Sequence, residues 1–421
     1  MEKTTLIRCG KLYDGIKDEL QSDMEILVKG KLIERVGRNL PVPEGTEMVD
    51  LTHLTVTPGM IDSHNHDSHF SQKELVTPGG RGDQWDMMSY LYNAQRCLER
   101  GFTTIRLPGG GLRGYGSVEV KRAIDSGVFH GARMLVAAHI IGPTGNHGDF
   151  SQMLARDPIA ADAYTNPLVG DGPGAAARAA RREIKYGCDF LKIMPAGGFM
   201  SPVDGPEDST LTDEELKAIF DVARGSFKPV MAHVYAPDTM QKLIRFGIKD
   251  IEHGSLIDEE TARMMEDNDV YLVPTFTPYH DVVHMNEESL KSKTPAMQRK
   301  LKKYQQRLID GRRIILESNI KLGYGTDIVG PLQVYDSWNE YACWMDEGVN
   351  PFRILKAATS TNAEICGVDS FTGSIVPGKM ADIAAWPRDL MHDRYALAEC
   401  AFVMKEGVRY QTVTAIPKDA E

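Results

Sequence analysis

Residues 246–254 have the sequence Phe-Gly-Ile-Lys-Asp-Ile-Glu-His-Gly, and this order of residue types indicates how the chain folds. A glycine follows a helix-like stretch, a short apolar run comes next, and a polar residue and a second glycine end the run. Glycine suits the position after a helix, where a positive φ is needed, and the apolar run suits a buried parallel strand. The pattern therefore predicts one helix–strand unit.

The same pattern recurs at Arg100–Gly109, Tyr186–Gly197 and Leu322–Gly330. Between the repeats, Thr212-Asp-Glu-Glu215 forms a predicted capping box, and Asp258 is a predicted N-cap of the next helix. Repeated helix–strand units favour either a barrel or a doubly wound sheet. The length of the repeating region favours the (β/α)8 TIM barrel, so we expect an α/β protein of that architecture.

The two ends of the chain differ from this pattern, because short strand-like runs alternate there with Gly, Asn and Pro turns. We expect both ends to pair in one small β-sandwich. The predicted organisation is residues 1–57 for the N-terminal part of the sandwich, 58–368 for a metal-dependent hydrolase barrel and 369–421 for the C-terminal part of the sandwich.

Composition excludes several classes of protein. With 48 Lys and Arg against 59 Asp and Glu, the net charge of −11 argues against a nucleic acid partner. No apolar run approaches the ~20 residues of a membrane-spanning helix, and the first ten residues contain charges but no apolar core of the kind found in signal peptides. The six scattered cysteines include no C-x-x-C pair, which fits reduced thiols in the cytoplasm. Any metal site must therefore use histidine and carboxylate ligands.

The first candidate ligands are His64 and His66, which end the stretch Val56-Thr-Pro-Gly-Met-Ile-Asp-Ser-His-Asn-His. Residues two apart in a strand point to the same side, so both imidazoles can bind one metal ion. Two surface histidines at a strand end would explain H-x-H alone equally well. The preceding Pro58-Gly59 and Asp62 favour the metal site.

Four further polar residues end predicted strands: Lys192, His233, His253 and Asp327. Taken singly, a buried core histidine, an ion-pair partner or a helix N-cap would explain each of them. Barrel enzymes, however, carry their reactive groups at the C-terminal ends of the strands, where residues distant in sequence converge. Together, these placements predict a single site.

On these residues the chain resembles the amidohydrolase superfamily over nearly its whole length. The resemblance is greatest to the dinuclear-zinc dipeptidases that cleave Xaa-Arg, Xaa-Lys or Xaa-Pro bonds and to ochratoxinase-like amidases, with imidazolonepropionases as relatives. It implies two divalent metal ions, expected to be Zn²⁺. The implied ligands are His64, His66, Lys192, His233, His253 and Asp327.

The resemblance also implies a role for each ligand. His64 and His66 would bind the more buried ion, and His233 and His253 the more exposed one. Lys192, N-carboxylated by carbon dioxide, would bridge the two ions, because burial and adjacent cations favour the neutral amine that reacts. Asp327 would contact the buried ion and act as the proton shuttle.

The implied reaction is hydrolysis of an amide bond by a hydroxide that bridges the two metal ions. His147 and Tyr235 lie on presumed strand-end loops, where the resemblance gives such residues the task of orienting the substrate. A loop histidine and a packing tyrosine are the plainer explanation. The expected substrate is a small amide, a dipeptide or an N-acyl amino acid that loses its C-terminal amino acid, and the expected assembly is a homo-oligomer.

Alternatives remain at this level. An aryl-amide or mycotoxin amidase and a cyclic-amide hydrolase of the imidazolonepropionase type would use a similar site, and Lys192 argues against a deaminase. A metal-free binding barrel would have lost ligands. Gly109-Gly-Gly-Leu-Arg-Gly114 imitates a dinucleotide loop, but no acidic residue closes the next predicted strand, so no nucleotide cofactor is expected.

Substrate choice is expected to depend on the loops Ser151–Asp171, Pro202–Ser209 and Phe276–Pro295. A cationic side chain of the substrate would need an acidic partner there. The available acids are Asp149, Asp204, Glu207 and Asp336. His280-Asp-Val-Val-His284 lacks the glutamate of a zinc-protease motif and is predicted to be a helix face over the mouth of the site.

Overall fold

The computed structural model describes residues 2–66, 83–110, 114–149, 170–201, 203–284, 287–291, 293–329 and 331–414. The strands are β1 (Thr4–Leu12), β2 (Gln21–Ser22), β3 (Glu25–Lys29), β4 (Leu32–Gly37), β5 (Glu47–Pro58), β6 (Met60–Asp62), β7 (Asn65–His66), β8 (Phe102–Pro108), β9 (Arg133–Ala137), β10 (Ile140–Ile141), β11 (Leu191–Ile193), β12 (Val230–Val234), β13 (Asp250–His253), β14 (Tyr271–Val273), β15 (Ile328–Val329), β16 (Ile383–Trp386), β17 (Phe402–Lys405) and β18 (Val408–Tyr410). The helices are α1 (Asp83–Glu99), α2 (Gly116–Asp125), α3 (Pro173–Tyr186), α4 (Asp213–Gly225), α5 (Pro237–Phe246), α6 (Glu259–Asp267), α7 (His280–Val283), α8 (Glu287–Lys291), α9 (Pro295–Glu317), α10 (Asn339–Asp346), α11 (Pro351–Lys356) and α12 (Asn362–Ile365).

Both ends of the chain contribute to one sheet. Among the described residues it has eight strands, in the order β18-β17-β16-β5-β1-β3-β4, with β2 paired to β1. β1 and β5 are parallel, and the N-terminal and C-terminal parts meet in the antiparallel pair β5–β16. Alternate residues such as Ile7, Ile26 and Phe402 form one apolar cluster. The two chain ends are therefore joined by backbone hydrogen bonds and by a shared core.

The middle of the chain forms parallel strands connected by helices, which makes the protein α/β. β6, β8 and β9 form one parallel sheet, and β10 to β14 form a second. Gly187 and Gly247 follow α3 and α5 with φ of 99° and 86°, as the repeated sequence pattern predicts. The capping box of Thr212 and Glu215 is present, and Asp258 caps α6.

Further backbone contacts join these parallel strands. The Asp189 amide donates to Val136 O at 2.7 Å, which links β9 to the segment before β11. Leu272 of β14 forms a parallel bridge with Leu322, and the Ser63 amide donates to Tyr324 O at 3.0 Å. The contacts therefore run from β6 through β14 and return to the segment after β6. None of the helices in the described ranges has both the length and the apolar character that crossing a membrane requires.

The predicted ligands lie where these parallel strands end. Lys192 is on β11, His233 is on β12, and His253 is the last residue of β13. His253 and Asp327 have φ of 70° and 50°, in the left-handed region. A non-glycine residue there costs about 1–2 kcal/mol, so the surrounding packing must enforce this backbone, as is common at functional sites.

Candidate metal centre

His64, His66 and Asp327 converge as the sequence predicts. The two histidine Nε2 atoms lie 3.1 Å apart, and Asp327 Oδ1 is 3.4 Å from the first and 3.6 Å from the second. The backbone holds the aspartate in place, because the Asp327 amide donates to His64 O at 2.8 Å. Two ring nitrogens and one carboxylate oxygen therefore face a common point.

His253 and His233 complete the group of imidazoles. The His253 ring centroid is 5.0 Å from that of His64 and 4.5 Å from that of His233. One possible ligand atom each from His64, His253 and Asp327 lie within 4.8 Å of one another. The Nε2 atom of His233 is buried and has no hydrogen-bond partner among the described residues.

Lys192 is fully buried next to these groups, and its Nζ atom also has no hydrogen-bond partner in the described part of the chain. Burial lowers the pKa of Lys192 to about 8, although Glu252 and Asp327 oppose the change. An ammonium group without a hydrogen bond is costly in a protein interior. The neutral amine, the form that can bind carbon dioxide, is therefore accessible near neutral pH.

Three of the histidines and Asp327 are also shifted towards their uncharged forms. Burial, together with positive neighbours such as Lys192, holds the pKa of His64, His233 and His253 well below the usual range. Burial raises the pKa of Asp327 to about 7, with Lys192 acting in the opposite direction. Neutral imidazole is the form that binds metal ions.

These observations fit bound divalent cations. The donor set of imidazole and carboxylate suits zinc, which accepts nitrogen and oxygen ligands. The buried, unpartnered atoms of Lys192 and His233 would be satisfied by the same cations.

The structure places His147 and Tyr235 at the edge of this group. The His147 ring stacks on His233 with centroids 5.0 Å apart and an interplanar angle of 16°. The Tyr235 ring stacks on His253 at 5.1 Å and 17°, and its hydroxyl lies 2.5 Å from the hydroxyl of Tyr279. Both predicted substrate-binding residues therefore touch a metal-ligand candidate.

Two of the four acids available to a cationic substrate side chain have partners within the protein. Asp204 Oδ1 accepts from the Gly198 amide at 3.0 Å and lies 3.7 Å from His147 Nδ1, while its Oδ2 is buried without a hydrogen-bond partner among the described residues. Glu207 accepts from the Tyr304 hydroxyl and pairs with Arg307. Of these two carboxylates, Glu207 is the one that is fully engaged within the protein. Residues 151–169 of the first specificity loop, residues 111–113 of the glycine-rich stretch and Pro202 lie outside the described residues.

Sequence reasoning missed the residues that support the ligands. A Cβ on Gly198 would lie 2.4 Å from the His147 ring, so only glycine leaves room for that side chain. Tyr279 supplies the partner of Tyr235, and Glu252 and Arg106 form a buried network behind His64. The available signal for Glu252 was a charged residue directly before His253 in the short buried strand Asp250–His253.

A second group of possible ligands lies at His280, His284 and Glu347. Its carboxylate has other partners, because Glu347 Oε1 lies 3.0 Å from His284 Nε2 and accepts from Arg312 Nη1 at 2.7 Å. α7, which carries His280, directly follows Tyr279. The predicted helix face is therefore connected to the site through the pair Tyr235 and Tyr279. The guanidinium of Arg312 already supplies the positive charge that a metal ion would bring to Glu347.

Comparisons with known proteins agree with this geometry. A sequence model described as the amidohydrolase family matches residues 55–415. Ochratoxinase from Aspergillus niger is 26% identical over 415 residues, which cover 93% of this chain and 82% of that protein. A solved Xaa-Pro dipeptidase with bound methionine in the active site is 27% identical, with a TM-score of 0.86 and coverage of 97% of this chain and 100% of the other. The solved structure of the A. niger ochratoxinase, 22% identical, has a TM-score of 0.83 and shares the fold over 100% of this chain and 99% of its own.

Proposed function

The chain belongs to the amidohydrolase family, and from this premise we propose that it hydrolyses the amide bond of a dipeptide or N-acyl amino acid and releases the C-terminal amino acid. The observation that carries the proposal is the convergence of His64, His66 and Asp327 within 3.6 Å, beside the unpartnered amine of Lys192. The similar Xaa-Pro dipeptidase holds a free amino acid, methionine, in its active site, which supports an amino acid as leaving group.

The proposed centre contains two divalent cations, and Zn²⁺ is the proposed metal. His64, His66 and Asp327 would hold one ion, and His233 and His253 the other. Lys192 would bridge them as a carbamate, formed when its neutral amine adds to carbon dioxide and releases one proton. When bound, the ions would polarise the substrate carbonyl and lower the pKa of a water molecule.

Asp327 is the proposed proton shuttle. Its pKa, raised by burial to about 7, lies near neutral pH, where one group can both accept and donate a proton. The carboxylate accepts a proton from the attacking water and delivers it to the leaving nitrogen, so the amide C–N bond breaks as the amine gains its hydrogen. The backbone hydrogen bond from Asp327 to His64 O keeps the carboxylate beside the ligands during this exchange.

His147 and Tyr235 are proposed to orient the substrate. Each lies against a ligand ring, within reach of a substrate whose carbonyl is at the centre. A free carboxylate on the leaving amino acid would accept hydrogen bonds from the His147 ring and the Tyr235 hydroxyl. Glu207 pairs with Arg307 and accepts from Tyr304, so it is not the acid that we propose for a cationic substrate side chain.

The finer architecture is also a proposal. The contacts that run from β6 to β14 and back support a (β/α)8 barrel, and the common apolar cluster of the end sheet supports a sandwich folded from both chain ends. The boundaries at 57/58 and 368/369, a homo-oligomeric assembly and a cytoplasmic location with reduced cysteines stay predictions.

The test is a comparison of matched substrates. For the best dipeptide or N-acyl amino acid, we expect the C-terminally amidated analogue to lose about 10- to 100-fold in kcat/KM. This factor corresponds to the free energy of losing a hydrogen bond to a charged group. Tyr235→Phe should reduce this preference while the protein keeps its metal. Equal kcat/KM for free and amidated forms would refute carboxylate recognition. It would favour an aryl-amide hydrolase, as the likeness to ochratoxinase allows.

A further inference from the structure

The carboxylate of Glu252 lies directly behind a metal-ligand candidate. Glu252 is fully buried in β13, and its Oε2 atom is 2.5 Å from His64 Nδ1. Burial and Asp250 raise the pKa of Glu252 well above its usual range, but the Arg106 guanidinium, whose Nη2 lies 2.8 Å from Glu252 Oε1, favours the ionised carboxylate. An ionised carboxylate only accepts hydrogen bonds. In that form the contact requires the proton on Nδ1, and a neutral imidazole protonated there has its lone pair on Nε2, the atom that faces His66.

Arg106 fixes this carboxylate and the backbone of the ligand at once. Its Nη2 donates to Glu252 Oε1 at 2.8 Å, and its Nε donates to Ser63 O at 2.7 Å, one residue before His64. The third contact, from Nη1 to Asp250 Oδ2 at 2.8 Å, goes to a carboxylate two residues earlier in β13. Arg106 thus has two acidic partners, of which Glu252 is the one that contacts His64.

Two other histidines of the group, His66 and His253, have neutral acceptors at the same ring position. His66 Nδ1 lies 2.9 Å from Gly109 O, and His253 Nδ1 lies 2.7 Å from Thr275 Oγ1. A hydrogen bond to a charged acceptor is roughly twice as strong as one to a neutral acceptor and raises the basicity of the ligand nitrogen. Among these three, His64 is the ligand with the carboxylate.

We propose that Glu252 is a positioning residue that selects the Nδ1-protonated tautomer of His64 and directs the Nε2 lone pair into the metal centre. The proposal rests on the proposed metal centre, but it is independent of the substrate. A plain structural role as counter-ion of Arg106 is the competing explanation. Asp250 also pairs with Arg106, and its side chain contacts Glu252. In the described contacts it does not reach His64, so Asp250→Asn changes the charge around Arg106 without removing the partner of His64 and provides the matched control.

The experiment compares Glu252→Gln with Asp250→Asn, since each removes one negative charge from Arg106 and keeps the side-chain shape. Zinc affinity is measured by competition with a chelator on metal-depleted, refilled protein. We expect Glu252→Gln to lose about 10- to 100-fold in affinity, as outer partners of ligands do, and Asp250→Asn to lose less than about threefold. Thermal unfolding checks that both variants fold.

A second readout needs no metal. In metal-depleted protein labelled with ¹⁵N-histidine, the His64 ring should show the Nδ1-protonated tautomer in the wild type and in Asp250→Asn, and a shifted tautomer population in Glu252→Gln. Glu252→Asp keeps the charge on Arg106 but shortens the reach to His64, so it should also lose zinc affinity. This variant serves if the glutamine protein does not fold.

Equal zinc affinity and an unchanged tautomer in Glu252→Gln would overturn the proposal. Equal losses in both isosteric variants would assign the effect to the charge balance of Arg106 and would overturn it as well. Wild-type protein that binds no divalent ion would refute the metal centre itself, while the tautomer spectrum of the metal-free protein would still test Glu252. Failure of the dipeptidase reaction alone would leave both measurements unaffected.

Discussion

Two clusters of histidine and carboxylate in this molecule contain similar side chains but differ in charge balance. In the first, His64, His66 and Asp327 meet within 3.6 Å, and the nearby cation, Lys192, is buried without a hydrogen bond. Its amine is shifted towards the neutral form. Among the described residues, no lysine or arginine forms an ion pair with Asp327, the carboxylate of this cluster.

In the second cluster, arginines supply that charge. Arg312 donates to Glu347 at 2.7 Å, and Arg394 pairs with the neighbouring Asp346 at 2.8 Å. His280 Nε2 also lies 3.2 Å from Asp346. The comparison teaches that proximity of ligand-type residues does not by itself indicate a metal site. A better indicator of a metal site is a group of ligand-type side chains whose negative charge no arginine or lysine of the protein balances.

The largest expected effect comes from removing the candidate bridge. Replacing a residue that only hydrogen-bonds a metal ligand typically reduces activity or affinity about 10- to 100-fold. Lys192→Ala should lose more activity than that and should lower the metal content, because the carbamate would contact both ions. Lys192→Arg should fail too, since a guanidinium keeps its charge and forms no carbamate. Short carboxylates should restore part of the activity of the alanine variant. Wild-type rate and full metal content in Lys192→Ala would contradict the dinuclear centre.

The next prediction contrasts one histidine from each cluster. His253→Ala should lower the metal content from about two ions per chain to about one and reduce kcat strongly, because it removes a ligand. His280→Ala should keep both ions and stay within about twofold of the wild-type rate, because its ring lies in the compensated cluster. Elemental analysis of the two purified variants, with the wild type beside them, decides the matter. Loss of an ion in His280→Ala would show that the second cluster is a metal site after all.

Sequence alone could predict the first cluster because each ligand candidate lies in a short parallel strand or within two residues of one. His233 follows the apolar run Val230-Met-Ala, and parallel strands bring such positions together. The capping box at Thr212 was predictable for the same reason, since its signal is local.

The supporting pairs could not be predicted in this way. Glu252 contacts His64 across 188 residues of sequence, and Tyr235 contacts Tyr279 across 44. Such pairs depend on which strand neighbours which and on side-chain directions, and no local spacing encodes either. The balance of the second cluster depends likewise on Arg312, which reaches it from a different helix.

The carboxyl groups of Asp327 and Glu347, one from each cluster, should also respond to pH in opposite ways. The pKa of Asp327 is raised from 3.8 to about 7, mainly by burial, so its contribution to stability is present below about pH 4 and is lost as pH rises through about 7. At about 1.4 kcal/mol per pKa unit, the loss is at most about 4 kcal/mol. Burial raises the pKa of Glu347, but Arg312 outweighs it and holds that pKa below the usual range, so stability there is lost as pH falls.

Urea unfolding of metal-free protein across about pH 4 to 8 measures the first of these effects. Asp327→Asn should flatten the decline in the free energy of unfolding towards neutral pH. Glu347→Gln should instead lower stability at neutral pH, with a smaller difference from wild type in acid. If Asp327→Asn leaves the pH dependence of the metal-free protein unchanged, the buried carboxyl is not the group that titrates.

The smallest expected change in metal binding would come from removing the arginine that balances the charge of the second cluster. Arg312→Met keeps much of the side-chain volume but removes the guanidinium that faces Glu347 and lies 3.3 Å from His280 Nδ1. Breaking this largely buried pair should cost about 3 kcal/mol in the metal-free protein, because a carboxylate is left without its cation. Zinc can then take the place of the arginine between His280, His284 and Glu347, whose possible ligand atoms lie within 4.8 Å of one another.

We therefore expect Arg312→Met to bind one additional zinc ion weakly and to regain part of the lost stability when zinc is added in excess. The control is Arg312→Met combined with His284→Ala, which lacks one ligand and should neither bind the extra ion nor regain stability. Calorimetric titration and thermal unfolding with and without zinc measure both quantities. If the single variant stays at two ions and zinc does not stabilise it, then charge compensation is not what keeps the second cluster from binding metal, and the geometry of its short helix becomes the better explanation.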